Sequence, residues 1–234
     1  RTPFWESEEL QLTLTNHTGW VNGCAVSPDG TWIVSTSSDN TLRIWDTASG
    51  LELHTLIGHT DEVEACAISP DGTWIVSASD DTTLKLWQAT TGQNVRTLIG
   101  HTKAVLGCAV SPDGRWVITA SHDMTLRVWE ADTGCERLVI ALLGKLSGVG
   151  LHPWLPLVTC GDEVGGVYFL DLVGIEYGPI ILTASEKEGE LSLLCPSCQI
   201  HHSITQSQLG SELTCPTPGC GLRLKINPFV IQMV

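Results

Sequence analysis

A chain of 234 residues with 42% hydrophobic and 16% charged residues can bury a sizeable core, which argues against long disordered segments. Its formal net charge of −14 repels phosphate backbones, so nucleic acid is not expected as the main partner. No signal peptide and no run of about 18 apolar residues is present, so we expect no membrane span.

Internal repetition is the strongest signal along the chain, with a period of 42 residues. Short apolar runs alternate with turn residues in each unit, which predicts four strands joined by short turns. Four sequential antiparallel strands of this kind form one blade of a β-propeller. The repeated residues are His17, His59 and His101; Trp45, Trp87 and Trp129; and Ser-Pro-Asp-Gly turns that start at Ser27, Ser69 and Ser111.

On the pattern Gly-His, turn Asp and strand Trp, the chain resembles the WD-repeat family. In that family the His, the Asp, a strand Ser or Thr and the Trp form a hydrogen-bonded network inside each blade. The resemblance implies that this network is structural, and identical His–Asp pairs in every unit are not expected of an active site. We therefore expect no enzyme. The implied residues are His17, Ser35 or Ser37, Asp39 and Trp45; His59, Ser77 or Ser79, Asp81 and Trp87; and His101, Thr119 or Ser121, Asp123 and Trp129.

The predicted organisation is a partial all-β propeller of four four-stranded blades with a small C-terminal domain. Residues 143–185 form a degenerate fourth blade, in which Leu170 replaces the Trp and Ile180–Thr183 is the outer strand. We expect this blade to lack the polar network and to depend on packing, as terminal repeats often differ. Leu10–Leu14 alternates like the outer strand of a preceding blade. The predicted boundaries are 1–16 for that strand, 17–58, 59–100, 101–142 and 143–185 for the blades, and 186–234 for the C-terminal domain.

Four blades leave two exposed blade faces, for which two explanations are open. Two copies of the chain could pair into an eight-bladed ring, or further blades could lie upstream in a longer protein. The extra outer strand and the start at Arg1 rather than at a methionine favour upstream blades.

The nine cysteines fall into groups that indicate thiols and metal ligands rather than disulfides. Cys24, Cys66 and Cys108 hold one repeat position and are expected to be small buried thiols, as suits a reducing cytoplasm. The last four form two close pairs, a pattern typical of a structural zinc ribbon with a closed tetrahedral site. His201 and His202 could substitute for a cysteine but are expected to be solvated. The predicted ligands are Cys195, Cys198, Cys215 and Cys220.

Some zinc ribbons bind nucleic acid, and a nucleic-acid-binding ribbon carried by a propeller is the alternative function. From Glu186 onward, three basic residues stand against four acidic ones, which disfavours that role.

Loop positions that differ between repeats predict a partner-binding surface. Trp20, Glu62 and Ala104 are equivalent positions after the His, and an exposed tryptophan is a typical interface anchor. Packing of Trp20 against a neighbouring blade is the other interpretation. We expect a protein or peptide partner, basic or polar, at Trp20, Asp61, Glu62, Asp80 and His122.

The resulting functional prediction is a non-catalytic scaffold or ligand-sensing module of a larger cytoplasmic signalling protein. The close identity of the repeats resembles propellers of bacterial multidomain proteins, many of which carry an upstream NB-ARC or NACHT nucleotide-binding switch or a kinase domain. An enzyme would need a unique polar cluster, and His152 and Glu163 are loose candidates that nothing in the sequence orients.

Overall fold

The computed structural model describes residues 12–232 and is built of β-strands with one three-residue 3-10 turn. Three blades each contain four antiparallel strands in sequential order. Blade 1 comprises β1 (Val21–Val26), β2 (Trp32–Ser37), β3 (Thr41–Asp46) and β4 (Glu52–Ile57); blade 2 comprises β5 (Val63–Ile68), β6 (Trp74–Ser79), β7 (Leu84–Gln88) and β8 (Asn94–Leu98); blade 3 comprises β9 (Val105–Val110), β10 (Trp116–Ser121), β11 (Thr125–Glu130) and β12 (Glu136–Ala141).

The turn between the first two strands of each blade is held by its own side chains. In blade 2 the Ser69 hydroxyl donates to Asp71 Oδ1 at 2.6 Å and accepts the backbone N–H of Trp74 at 3.0 Å. Gly72 follows at φ 72°, in the left-handed region that glycine enters without a steric penalty. The same hydrogen bonds occur at Ser27 and Ser111, so the turn motif sets the hairpin in all three blades.

Apolar residues of successive blades pack together, so that the core lies between blades. The cluster between blades 1 and 2 joins Leu42 and Ile44 of blade 1 to Val63 and Ile75 of blade 2. Equivalent clusters join blade 2 to blade 3 and blade 3 to blade 4. Cys24 is exposed, so the prediction of a buried thiol is wrong at this position. Burial of this thiol requires a preceding blade, and the described residues contain none before blade 1. Cys66 and Cys108, which have one, are half-buried, and burial raises the pKa of the Cys108 thiol to about 12.

Blade 4 has three strands within the described residues: β13 (Leu146–Leu151), β14 (Leu157–Asp162) and β15 (Val167–Asp171). The prediction that Ile180–Thr183 is its outer strand is wrong. Those residues begin β16 (Ile180–Lys187), which pairs in parallel with the last strand of the chain. In place of the network of the other blades, the Tyr168 hydroxyl donates to Asp162 Oδ2 at 2.8 Å, so this blade does not depend on packing alone.

The C-terminal sheet starts at Ile180, so it crosses the boundary predicted at residue 186. After β16 it contains β17 (Glu190–Leu194), β18 (His201–Ile204), β19 (Glu212–Thr214) and β20 (Arg223–Gln232). Its five strands lie in the order β18-β17-β16-β20-β19.

This sheet is attached to the Ser-Pro-Asp-Gly turns of the propeller. Asn227 is buried and its amide donates to Pro70 O and to Thr183 Oγ1, both at 2.9 Å. The backbone N–H of Ile181 donates to Pro112 O at 2.8 Å. The fold class is thereby confirmed: an all-β partial propeller with a small C-terminal domain that carries clustered cysteines. Within residues 12–232, no helix has the length and apolar character needed to cross a bilayer.

One backbone position offers a test of the repeat geometry. Asn40, Thr82 and Met124 are equivalent and adopt φ values of 67°, 72° and 66°. Asparagine tolerates this left-handed conformation, whereas a β-branched residue is strained there. We expect Thr82→Asn to raise the free energy of unfolding by about 0.5–1 kcal/mol. The reciprocal change Asn40→Thr should lower it by a similar amount. Urea denaturation of both variants measures these changes. If both variants were more stable, or both less stable, than the wild type, the equivalence of the two positions would be contradicted.

Candidate functional site

Each of the first three blades contains a buried chain of four polar side chains. In blade 2, His59 Nδ1 lies 2.7 Å from Asp81 Oδ2, and His59 Nε2 lies 2.7 Å from Ser77 Oγ. The Trp87 indole N–H donates to the same Ser77 oxygen at 2.8 Å. These contacts fit one neutral tautomer, in which Nδ1–H donates to the carboxylate and Nε2 accepts the serine hydroxyl.

The same arrangement occurs in the neighbouring blades with nearly identical distances. Its members there are His17, Ser35, Asp39 and Trp45 in blade 1, and His101, Thr119, Asp123 and Trp129 in blade 3. The open choice between two hydroxyl residues is therefore settled for Ser35, Ser77 and Thr119. Their alternatives Ser37, Ser79 and Ser121 accept the backbone N–H of the network Asp instead.

The network carboxylates remain ionised in the folded protein. Burial alone raises the pKa of Asp123, but hydrogen bonds from Thr125, His101 and the Thr102 backbone outweigh it and lower that pKa to about 2. Burial lowers the pKa of His101 and outweighs the opposing effect of the Asp123 carboxylate. The lowered pKa favours the neutral imidazole. With both ring nitrogens engaged and the His59 side chain fully buried, these pairs offer no atom to a substrate.

The loops that carry the variable positions meet on one rim of the propeller. The backbone N–H of Ser38 donates to Trp20 O at 2.9 Å, and Asp80 N–H donates to Glu62 O at 3.0 Å. In blade 3 the corresponding bond runs from His122 N–H to Ala104 O at 2.9 Å. Within each blade, this bond joins the two loops that carry the predicted partner-binding residues. Trp20 stands out with 84% of its surface exposed. We call this surface the network rim, defined by Trp20, Asp61, Glu62, Asp80 and His122.

Negative charge is concentrated in the middle of the network rim. Burial and the nearby Asp61 and Glu62 raise the pKa of Asp80. Burial and the same acidic neighbours, with Asp80, raise the pKa of Glu64. Asp80 Oδ1 is buried without a hydrogen-bond partner in the described part of the chain. The rim therefore holds carboxylates close together whose charges are only partly compensated.

Sequence reasoning missed Glu64, whose place in this cluster follows from its position on β5 beside Asn22 of β1. The Asn22 amide donates to Glu64 Oε1 at 3.5 Å and to Val63 O at 3.2 Å. Glu163, which the sequence offers as a loose catalytic candidate, lies 2.9 Å from His122 Nε2 and 3.2 Å from Lys145 Nζ. His152 lies at the opposite end of its blade, where its Nδ1 accepts the Leu155 backbone N–H at 3.1 Å. The two candidates for an enzyme site are thus not brought together.

Four cysteines meet at the turns of two hairpins in the C-terminal sheet. Cys195 and Cys198 follow β17, and Cys215 and Cys220 lie between β19 and β20. Their sulfur atoms all lie within 4.8 Å of one another, with Cys195–Cys220 and Cys198–Cys215 separations of 3.7 Å. The arrangement can hold one metal ion.

His202 belongs to the surroundings of this cluster, which the sequence prediction did not anticipate. His201 is exposed as expected, but His202 is half-buried. Its Nε2 lies 3.3 Å from Cys215 Sγ and 3.2 Å from Thr217 Oγ1. Alternation along β18 turns His202 toward the cysteines and His201 away from them.

Comparisons with known proteins agree with this geometry. A profile of the family described as "WD domain, G-beta repeat" matches residues 8–46, 50–88 and 92–130, which together make up half of the chain. The computationally designed Ika4 protein has a similar solved structure, with a TM-score of 0.61 and 27% identity over 68% of this chain and 95% of that one.

Curated relatives share single stretches with this chain. Pre-mRNA-splicing factor PRP46 of Yarrowia lipolytica is 39% identical over 49 residues, which is 20% of this chain and 11% of that protein. Pleiotropic regulator 1 of Homo sapiens is 43% identical over 49 residues, or 20% and 10% of the two chains. Small ribosomal subunit protein RACK1 of Medicago sativa is 44% identical over 48 residues, or 20% and 15%. The match therefore spans only a small fraction of each relative's length.

The buried network generates a prediction about stability. Asp123→Asn removes the carboxylate that holds His101, and we expect it to lower the free energy of unfolding at pH 7 by about 2–4 kcal/mol. Because the pKa of Asp123 falls from 3.8 to about 2 on folding, its contribution is present above pH 3.8 and is lost as the pH approaches 2. In urea titrations, the difference in free energy of unfolding between variant and wild type should therefore become smaller as the pH falls through that interval. Asp132→Asn, at an exposed turn residue, is the matched control, and an equally large effect there would contradict the assignment.

Proposed function

The chain belongs to the WD-repeat family, and from this membership we propose that it is a non-catalytic interaction scaffold that binds a protein or peptide on the network rim. The observation that carries the proposal is the internal comparison of blades. Network residues are equivalent and buried in three blades, whereas the rim residues beside them differ and are accessible. Variable side chains on a rigid frame are suited to recognition rather than to folding.

The charge of the rim favours a basic partner. Burial and the neighbouring Asp61 and Glu62 raise the pKa of Asp80, so a lysine or arginine side chain docked beside it would relieve repulsion. The protein's net charge of −14 adds long-range attraction for such a partner.

Trp20 supplies the apolar part of the proposed contact. Among the described residues it has one of the most exposed large apolar side chains. Ser38 links it to the acidic cluster, because the Ser38 N–H donates to Trp20 O at 2.9 Å and the Ser38 hydroxyl donates to Glu62 Oε2 at 2.5 Å. A tryptophan next to carboxylates can cover the aliphatic stem of a basic side chain and can also contact its cation.

We propose that zinc occupies the four-cysteine cluster. A tetrahedral zinc site has Zn–S bonds of about 2.3 Å, which correspond to sulfur–sulfur edges of about 3.8 Å. The Cys195–Cys220 and Cys198–Cys215 sulfur separations of 3.7 Å suit that geometry. Zinc would link the two hairpins and, with four thiolate ligands, would play a structural role. His202 and Thr217 would orient Cys215 and Cys198 from the second layer of contacts.

The cellular setting is proposed from the same chemistry. Free thiols on the blades and a thiolate metal site are both compatible with a reducing compartment, which supports a cytoplasmic location. A role within a larger signalling protein is supported by the resemblance to bacterial multidomain propellers. The alternative, a nucleic-acid-binding ribbon, is less well supported because only three basic residues stand against four acidic ones from Glu186 onward.

Substitutions on the rim test the proposed binding surface. We expect Trp20→Ala and Glu62→Ala to weaken binding of a fluorescent Lys/Arg-rich peptide pool by about tenfold each, because each removes one part of the contact. Fluorescence anisotropy at low and high salt provides the measurement, and affinity should fall as salt rises.

Asp132→Ala is the control for that experiment, since it removes an exposed carboxylate remote from the network rim. Equal affinities for wild type and both rim variants would reject the rim as the binding surface. Tighter binding of an acidic peptide pool than of the Lys/Arg-rich pool would reject the proposal of a basic partner.

Removal of two ligands tests the metal assignment. We expect the wild type to contain one zinc ion per chain by elemental analysis, and the double variant Cys198→Ser/Cys215→Ser to contain none. Loss of the ion should expose the C-terminal sheet to proteolysis while the propeller resists, because so small a unit depends on metal for folding. Cys135→Ser changes an exposed thiol outside the cluster and should keep the ion. A double variant with full zinc content would refute the ligand set.

A further inference from the structure

The first blade presents an apolar surface that its counterparts bury. Val21, Val63 and Val105 occupy one position on the first strand of their blades. Val63 and Val105 are fully buried against the preceding blade, whereas Val21 is 58% exposed. We call this surface the leading face.

The last blade presents the complementary surface. By strand register, Val167 and Phe169 correspond to Leu126 and Val128 of blade 3. Leu126 and Val128 are fully buried against the following blade, while Val167 and Phe169 are 81% and 68% exposed. This trailing face remains open although the C-terminal sheet lies against the same propeller, because that sheet attaches to the Ser-Pro-Asp-Gly turns.

The segment before blade 1 occupies the place of an outer strand. Gly92 lies against His54 and Leu56 of β4, the outer strand of blade 1. Gly134 lies in the same way against Arg96 and Leu98 of β8, the outer strand of blade 2. The equivalent Gly50 lies against Leu12 and Leu14. Residues 12–14 form no strand themselves, and the rest of the predicted Leu10–Leu14 strand lies outside the described residues.

Blade 4 lacks the strand that this segment represents. β15 pairs with β14 and has no second partner within the described residues, whereas the third strand of every other blade pairs with an outer strand. Within residues 12–232, the array of blades thus runs from an outer-strand segment to a blade with three inner strands. The two are parts of one four-stranded blade, but they stand at opposite ends of an arc that is open within one copy.

We propose that the partner on these faces is a second copy of the chain. The outer-strand segment alone favours upstream blades, but blade 4 lacks, within the described residues, the one strand that this segment can supply. The trailing face of each copy packs on the leading face of the other, and two identical junctions close a ring of eight blades. Residues 12–14 of one copy then pair with β15 of the other. The register of the inner blades places Leu14 opposite Val167 and Leu12 opposite Phe169.

Two charged variants test the ring through its mass. Val21→Glu disrupts the leading face and Phe169→Glu the trailing face, and both positions are exposed in one copy, so neither change disturbs the fold. We expect the wild type to have the mass of a dimer in size-exclusion chromatography with light scattering. Each variant alone should be monomeric, with a dissociation constant raised by roughly a hundredfold or more, because both junctions then bury an unpaired charge. Ile99→Glu, at an outward-facing exposed residue, is the matched control and should stay dimeric.

Mixing the two variants gives the decisive result. A mixed pair has one unaltered junction, because the intact trailing face of one variant meets the intact leading face of the other. We expect the mixture to recover dimers, and no larger species, at raised protein concentration. The proposal would be overturned by a monomeric wild type, by open oligomers whose mass increases with concentration, or by a mixture of the two variants that stays monomeric. None of these outcomes depends on peptide binding at the network rim.

Discussion

Every blade with its full set of signature residues depends on a buried imidazole whose two ring nitrogens are both hydrogen-bonded. The His precedes the first strand, the Ser or Thr lies on the second, the Asp follows that strand and the Trp lies on the third, so one network joins the parts of a blade that sequence separates. Since each polar atom is withdrawn from water, loss of one partner leaves another unsatisfied. The network therefore fixes the loops at one end of the blade. That rigidity allows neighbouring positions such as Trp20 and Glu62 to vary without loss of the fold.

Blade 4 shows what replaces the network when its residues change. Cys160 stands where the other blades have Ser or Thr, and Leu170 stands where they have Trp. Asp162 takes over by accepting the Tyr168 hydroxyl and the Gly166 backbone N–H. A side chain at Gly144 would lie 2.5 Å from an Asp162 oxygen, so glycine is required there for the substitute contact. These hydrogen bonds hold β14 and β15 together, and β15 has no outer strand beside it within residues 12–232.

The repeat made most of the fold predictable, because a period of 42 residues fixes strand order, turn chemistry and the buried polar set at once. What the sequence could not decide depended on distant contacts. Ser35 and Ser37 project to the same side of one strand, so alternation cannot choose between them. Ile180–Thr183 suits a strand in either domain, and only its parallel pairing with β20 assigns it. Burial of Cys24 depends on a neighbouring blade, and the position of His202 depends on where two hairpin turns meet.

The two ends of the strands differ in what covers them, and this difference supports the proposal that the network rim is the binding surface. At the Ser-Pro-Asp-Gly end, Asn227 and Ile181 satisfy backbone carbonyls of the propeller, so that surface is occupied by the chain itself. At the rim, burial and mutual repulsion raise the pKa values of Glu64 and Asp80. A carboxyl group whose pKa rises on folding destabilises the fold when it ionises at neutral pH. The rim thus holds charges that the fold alone does not favour, and a docked cation would turn that repulsion into binding energy.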